Sequence, residues 1–182
     1  EAALIVKGTE VSDVLQQVDL LPVVTVTAWY DLEASKIKGF GCLFPRTQNV
    51  RALGVLFNNQ IFNGRSHYQS ETWIFGGATD RSIIEFSDEE MLSQLSQDRE
   101  ILQKIDRPPL GYKITRWPHA IPHYTVGLEN ILRNRLYREV AFQPILKNVY
   151  LTGNYFGGLG LSKILERSKA LIDQLISEQA QR

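Results

Sequence analysis

The chain opens on an apolar run, Ala2 to Lys7, that predicts a short strand in a sheet covered on both faces. Gly8-Thr9 then predicts a turn. From Glu10 to Val18 the apolar residues Val11, Val14, Leu15 and Val18 fall at helical spacing. Pro22 to Tyr30 is β-branched and aromatic and predicts a strand. Gly39 to Phe44 and Ala52 to Phe57 predict two more strands, with the polar stretch Pro45 to Arg51 as the hairpin connection. Asn58 to Ser70 shows little pattern and predicts a loop. Glu71 to Phe75 predicts another strand, ended by Gly76-Gly77. Ser87-Asp88-Glu89-Glu90 forms a capping box with an acidic first turn. The helix it starts is expected to reach about Ile105, with Met91, Leu92, Leu95, Leu102 and Ile105 inward, and Pro108-Pro109 stopping it. Gly111 to Trp117 predicts a strand, and Pro118 and Pro122 are expected to bracket a non-helical loop. Gly127 to Phe142 predicts a helix, Lys147 to Thr152 a strand, and Leu159 to Glu178 a long amphipathic helix.

Several consecutive strands followed by helices alternating with single strands predict an α+β fold. Its core would be a mixed, largely antiparallel sheet with helices, followed by a C-terminal strand-helix piece. At 182 residues the chain is long enough for one domain with a proper core, or for a domain plus a piece of another. Hydrophobic residues at 43% and charged residues at 22% fit a soluble globular protein. Zero formal net charge gives no electrostatic grip on nucleic acid. Apolar runs fall short of the roughly 20 residues a spanning helix needs. The single cysteine, Cys42, excludes an internal disulfide and suggests a reducing compartment. The first residue is Glu1, directly before an apolar strand, which suggests an excised or processed chain.

The stretch from Asn148 to Leu161 holds the clearest candidate chemistry. A strand runs into a turn containing Gly153, Gly157, Gly158 and Gly160 and then into a long helix. Such glycines admit a ligand close to the backbone. The helix start offers free amides and a positive dipole end, an outline suited to phosphate, with Lys163 as added charge. A glycine-rich turn that only packs tightly is the other reading, and the residues alone leave both open. No βαβ unit surrounds the turn, so it is not a Rossmann opening. In the stretch from Arg116 to Gly127, His119 and His123 have the i, i+4 spacing of a metal pair, but Pro118 and Pro122 remove the helix that pair needs. Trp117, Tyr124 and the two prolines read better as a rigid wall, structural or facing a flat ligand. No nucleophile elbow occurs, and Cys42 reads as packed rather than nucleophilic.

Ordered blocks give these features a family. Gly39-Phe40-Gly41-Cys42-Leu43-Phe44-Pro45-Arg46, Ala52-Leu53-Gly54-Val55-Leu56-Phe57 and Phe62-Asn63-Gly64-Arg65 resemble the protoporphyrinogen oxidase pattern. Arg116 to Gly127 is similar to that family's "RWxxAxPQYxxGH" segment. Gly153-Asn154 with Gly158-Leu159-Gly160-Leu161 resembles its C-terminal FAD motif. His123 stands where the family has Gln, Leu128 where it has His, Ser162-Lys163-Ile164 where it has residues like Pro-Asp-Cys, and Ser168 where it has Gly.

The resemblance implies the C-terminal part of an FAD-dependent oxidase of porphyrinogens, acting in haem biosynthesis with oxygen as acceptor. Residues 1–20 and 118–182 would be pieces of the FAD-binding domain, and 21–117 the substrate-domain sheet and helix. It implies FAD contacts at Gly153, Asn154, Gly158, Leu159, Gly160 and Leu161, with Trp117 and Tyr124 near the flavin ring. No catalytic side chain or metal is implied, because the flavin carries the redox chemistry. Expected partners are a porphyrinogen and the missing N-terminal half of the same protein. An apolar face along Ala3, Ile5, Val149 and Leu151, bare without that half, suggests a homo-oligomer. The expected location is the cytoplasm, with the membrane periphery open to the intact protein. Another amine oxidase or desaturase, or a binding module that has lost catalysis, is the alternative.

Overall fold

The computed structural model describes residues 7–8, 10–33, 37–62, 64–105, 107–131, 150, 152–154 and 160–180. The strand expected from Ala2, most of that expected from Lys147, and the latter part of the helix expected from Gly127 lie outside them. The chain divides into two compact units, Leu20–Ile121 and Glu1–Asp19 with Pro122–Arg182.

The first unit is a five-stranded sheet in the order β2-β3-β4-β1-β5. The strands are β1 (Leu20–Tyr30), β2 (Gly41–Leu43), β3 (Gly54–Phe57), β4 (Gln69–Gly76) and β5 (Gly111–Pro122). β1 and β4 pair antiparallel from Val23 opposite Gly76 to Tyr30 opposite Gln69. β4 pairs β3 from Ile74 opposite Gly54 to Glu71 opposite Phe57. β2 and β3 form the expected hairpin, with Cys42 opposite Val55. Leu110 N–H donates to Trp29 O where β1 ends, and His123 N–H to Asp19 O where β1 begins, so β5 also runs antiparallel. The α+β, antiparallel expectation therefore holds.

Alternation along the strands makes one face apolar. Val24, Val26 and Ala28 of β1, Val55 and Phe57 of β3, and Trp73 and Phe75 of β4 are buried with Ile83, Met91 and Leu95. Ile83 lies in a 3-10 turn (Arg81–Glu85); Met91 and Leu95 lie on the helix that follows. Burying a side chain of the size of Leu95 stabilises by about 1.5–3 kcal/mol. Gly76 has φ +108, and a Cβ there would meet Pro22 O at 2.6 Å, so only glycine lets β4 end against β1.

Among the described helices, α1 (Glu10–Gln16) precedes the sheet unit, α2 (Asn58–Ile61) and α3 (Asp88–Gln103) lie within it, and α4 (Val126–Ile131) and α5 (Leu161–Ala180) follow it. The capping box on α3 forms as expected. Glu90 N–H donates to Ser87 Oγ at 3.2 Å, and Ser87 N–H to Glu90 Oε2 at 2.7 Å. The other end differs from expectation. α3 stops at Gln103, where Lys104 turns left-handed (φ +56) and its N–H bonds Glu100 O at 2.8 Å. This αL cap ends the helix before Pro108-Pro109 is reached, and Ile105 falls outside it. Met91 and Leu95 are buried as expected, and Leu92 and Leu102 pack against the core from its margin.

Two more expectations are corrected. Asn58–Ser70 is not patternless, since α2 adds one helical turn directly after β3. Pro118 and Pro122 do not bracket a loop, because β5 runs through the first and ends on the second. A sheet edge tolerates proline, since no neighbour waits for the missing N–H. In the second unit, Leu15, Val18, Leu128 and Leu171 are buried.

Candidate functional site

Within the second unit the structure brings Tyr124 and Asn154 together. Tyr124 Oη–H donates to the Asn154 carbonyl at 2.7 Å, joining the segment after β5 to the glycine-rich turn. His123 fixes the start of that segment: its backbone N–H bonds Asp19 O at 2.7 Å, and its Nδ1 lies 3.2 Å from Asp19 Oδ2. Leu128, where the family pattern has a histidine, is buried, and its N–H bonds Thr125 Oγ1 at 3.1 Å. Both departures thus have local structural roles.

The turn is also tied to α5. Thr152 Oγ1 and Ser168 Oγ lie 2.8 Å apart, so the serine that replaces the pattern's glycine meets a hydroxyl. Gly160 O accepts from Ile164 N–H at 3.1 Å and opens the helix. The amides of Leu161, Ser162 and Lys163 therefore lack intrahelical acceptors. Gly153 has φ +141, and an added Cβ at Gly153 or Gly160 would meet nothing within 4 Å. Crowding by the described residues thus accounts for neither glycine, and such a turn suits a ligand close to the backbone. Lys163, the expected extra charge, is paired with Glu166 at 3.0 Å. Gly158 and Leu159 lie outside the described residues.

Trp117 belongs to the sheet unit. It stands on β5 with 52% of its surface exposed, a large apolar side chain available for contact. Arg116 beside it pairs with Asp88 at 2.8 Å and donates to Phe86 O, anchoring β5 to the start of α3. Cys42 is half-buried against the core, and burial pushes its thiol pKa up, away from the thiolate form.

The residues that sequence reasoning missed form a buried polar network under the sheet. Glu71 of β4 accepts from Trp73 Nε1 (3.0 Å) and Arg99 Nε (3.2 Å) on Oε2, and from Gln103 Nε2 (2.8 Å) and Gln69 Nε2 (3.3 Å) on Oε1. The Arg99 guanidinium lies 3.7 Å from the Tyr30 ring centre. Burial pushes the Tyr30 phenol up, against the opposing pull of Arg99. Nearby, Asp98 accepts from the backbone N–H groups of Arg51 (3.1 Å) and Ala52 (2.7 Å) and from Gln94 Nε2 (2.9 Å). Burial raises the Asp98 pKa against the lowering effect of those bonds. Arg51 itself forks onto Asp80 at 2.8 and 2.9 Å. The Arg51–Phe57 block is thus held by buried carboxylate chemistry, which makes it scaffold. A signal was present: Glu71, Trp73 and Phe75 share one strand face, and Met91, Leu95, Asp98 and Leu102 share one helix face.

The family model for flavin containing amine oxidoreductases matches residues 4–160, and the chain belongs to that family. Among curated relatives, protoporphyrinogen oxidase 1, chloroplastic, of Arabidopsis thaliana is 30% identical over 159 residues, covering 80% of this chain and 29% of its own. Coproporphyrinogen III oxidase of Bacillus subtilis is 28% identical over 102 residues, 56% of this chain and 21% of its own. The chain therefore spans under a third of the length of either relative. Among solved structures, a protein described as "Putative protoporphyrinogen oxidase" from Exiguobacterium sp. 255-15 matches 97% of this chain and 39% of its own. Its TM-score is 0.73 at 20% identity, a likeness of fold. Among the described residues, no helix is long and apolar enough to cross a membrane.

Proposed function

We infer that this chain is the C-terminal part of an FAD-dependent enzyme that oxidises protoporphyrinogen or coproporphyrinogen to the porphyrin. Oxygen would be the electron acceptor, and haem synthesis the setting. The observation that carries this reading is the likeness to protoporphyrinogen oxidases over most of the chain. Among the described residues nothing would crowd a Cβ at Gly153 or Gly160, and Gly160 directly precedes the first-turn amides of α5, which supports it.

On this reading Gly153, Asn154, Gly160 and Leu161 hold FAD, together with Gly158 and Leu159. The bound flavin supplies the acceptor for substrate hydrogen. The start of α5 offers its amides and positive dipole end to the phosphates. The Tyr124 hydroxyl spends its proton on the Asn154 carbonyl, so its part is to set the turn and present a ring, not to act as an acid. Trp117 is exposed on β5, and the resemblance is the ground for giving it a place near the flavin ring. The upstream part of the protein would complete the flavin site.

The test is the longer protein, purified and examined by absorbance, then offered protoporphyrinogen and coproporphyrinogen under air. A flavin spectrum with turnover of one of them is expected. Flavin without turnover of either would favour a desaturase-like or non-catalytic relative, and absence of flavin would overturn the reading.

A further inference from the structure

We propose that the open face of the sheet carries a binding site for planar organic carboxylates, with Arg65 taking the carboxylate and Trp29 and Phe62 taking the ring. The face opposite α3 holds a cavity of about 280 Å³ lined by Trp29, Asn58, Asn59, Phe62, Arg65 and neighbouring serines. Trp29 stands on β1 directly opposite Ser70 of β4, so both project to this face.

The wall is built, not incidental. Asn59 Oδ1 accepts from Ser70 N–H at 2.7 Å and Ser70 Oγ at 3.1 Å, while its Nδ2 donates to Tyr68 O at 2.7 Å. Ser66 Oγ accepts from Tyr68 N–H at 3.0 Å. Asn58 Nδ2 donates to Thr72 Oγ1 at 2.9 Å, and Thr72 is bonded in turn to Thr27 at 3.0 Å. These bonds fasten α2 and residues 64–68 to the sheet.

Arg65 sits on that fastened segment with its guanidinium 4.0 Å from the Phe62 ring centre. Arg51, Arg99 and Arg116 each pair with a carboxylate, Asp80, Glu71 and Asp88. Arg65 pairs with none among the described residues. A guanidinium held over a ring can still offer N–H groups at its edge, and that edge matches a carboxylate with two parallel bonds. The indole of Trp29 and the ring of Phe62 offer apolar contact to whatever bears the carboxylate. The cavity falls just below the usual range for ligand sites, about 300–1,000 Å³. It therefore fits a one- or two-ring acid, or one edge of a larger flat acid. The site does not rest on the proposed redox reaction, and failure of porphyrinogen turnover leaves it standing.

The test is a titration of the 182-residue chain with 2-naphthoate, and separately with coproporphyrin III, followed by nitrogen–proton correlation NMR. Expected are shifts at the Trp29 indole, the Asn58 amide and Arg65 with at least one acid. Arg65→Gln should weaken that binding about ten-fold or more, while Arg65→Lys recovers part of it. The uncharged 2-naphthalenemethanol should bind more weakly than 2-naphthoate. Arg65 is exposed, so the unshifted remainder of the Arg65→Gln spectrum reports an intact fold. Equal binding by Arg65→Gln, equal binding by the neutral alcohol, or shifts confined to other surfaces would overturn the proposal. An acid of either size that binds through Arg65 upholds it, and which size binds separates a small-acid site from an edge site.

Discussion

Replacing Arg99 by methionine tests whether the polar network under the sheet holds the fold. Both charges are almost wholly removed from water, with side-chain exposures of 1% for Arg99 and 0% for Glu71. Arg99→Met keeps much of the volume and the contact with Tyr30 but leaves the Glu71 carboxylate without its counter-charge. Breaking a buried pair from one side costs about 3–5 kcal/mol. Trp73, Gln103 and Gln69 still donate to Glu71, so the low end, about 3 kcal/mol, is expected. For a chain of this length that corresponds to a melting shift of roughly 6–12 °C. The double variant Glu71→Gln/Arg99→Met removes both charges and should be more stable than Arg99→Met alone. Urea denaturation of the single and double variants reads both effects. A loss below about 1 kcal/mol for Arg99→Met, or a double variant no better than the single, would refute the argument.

Asp98→Asn should cost about 1–3 kcal/mol, since an amide has one acceptor oxygen for the two backbone N–H groups of Arg51 and Ala52; chemical denaturation checks it. Because burial raises the Asp98 pKa, the wild-type aspartate should hold its proton more tightly when folded. Its contribution to stability should then fall as pH rises from the ordinary Asp value, about 3.9, to the raised folded value, a slope Asp98→Asn should lack. Ser87→Ala should lose about 1 kcal/mol by removing the α3 cap, read as a lower melting temperature. In the longer protein, Gly158→Val should sharply lower flavin content, and normal loading of a folded variant would contradict the proposed cofactor contacts. The present chain alone should bind FAD weakly in a flavin fluorescence titration. One helix start contributes about 0.3–2 kcal/mol toward an anion, against the roughly 8 kcal/mol that micromolar binding needs.

The parts of the fold legible in the sequence are those where local chemistry and tertiary packing agree. β1 is announced by its β-branched run, the β2–β3 hairpin by two apolar runs around polar residues, and the start of α3 by its capping box. The far end of α3 was hidden because a lysine adopted the left-handed cap that glycine usually signals. From sequence β5 reads as a shorter strand, because proline argues against a strand until its place at the sheet's edge is known. The glycine-rich turn was visible as a pattern, but its ties were not. Tyr124 to Asn154 and Thr152 to Ser168 join residues distant in sequence. Glu71, Asp98 and Arg99 were passed over as polar positions on amphipathic elements. Their partners are brought in by strand pairing and helix docking, which no local window contains.

The prolines of β5 have a consequence for how this protein survives among its own copies. A sheet margin with unmet amides invites any extended chain to add itself, and repeated addition makes fibres. Among the described strands one margin offers no donor at Pro118 or at Pro122, and the other margin, β2, is only three residues long. An incoming strand would find gaps along one side and almost no length along the other. The sheet can thus leave a ligand-sized hollow open on its broad face while its two rims resist recruitment into larger β assemblies.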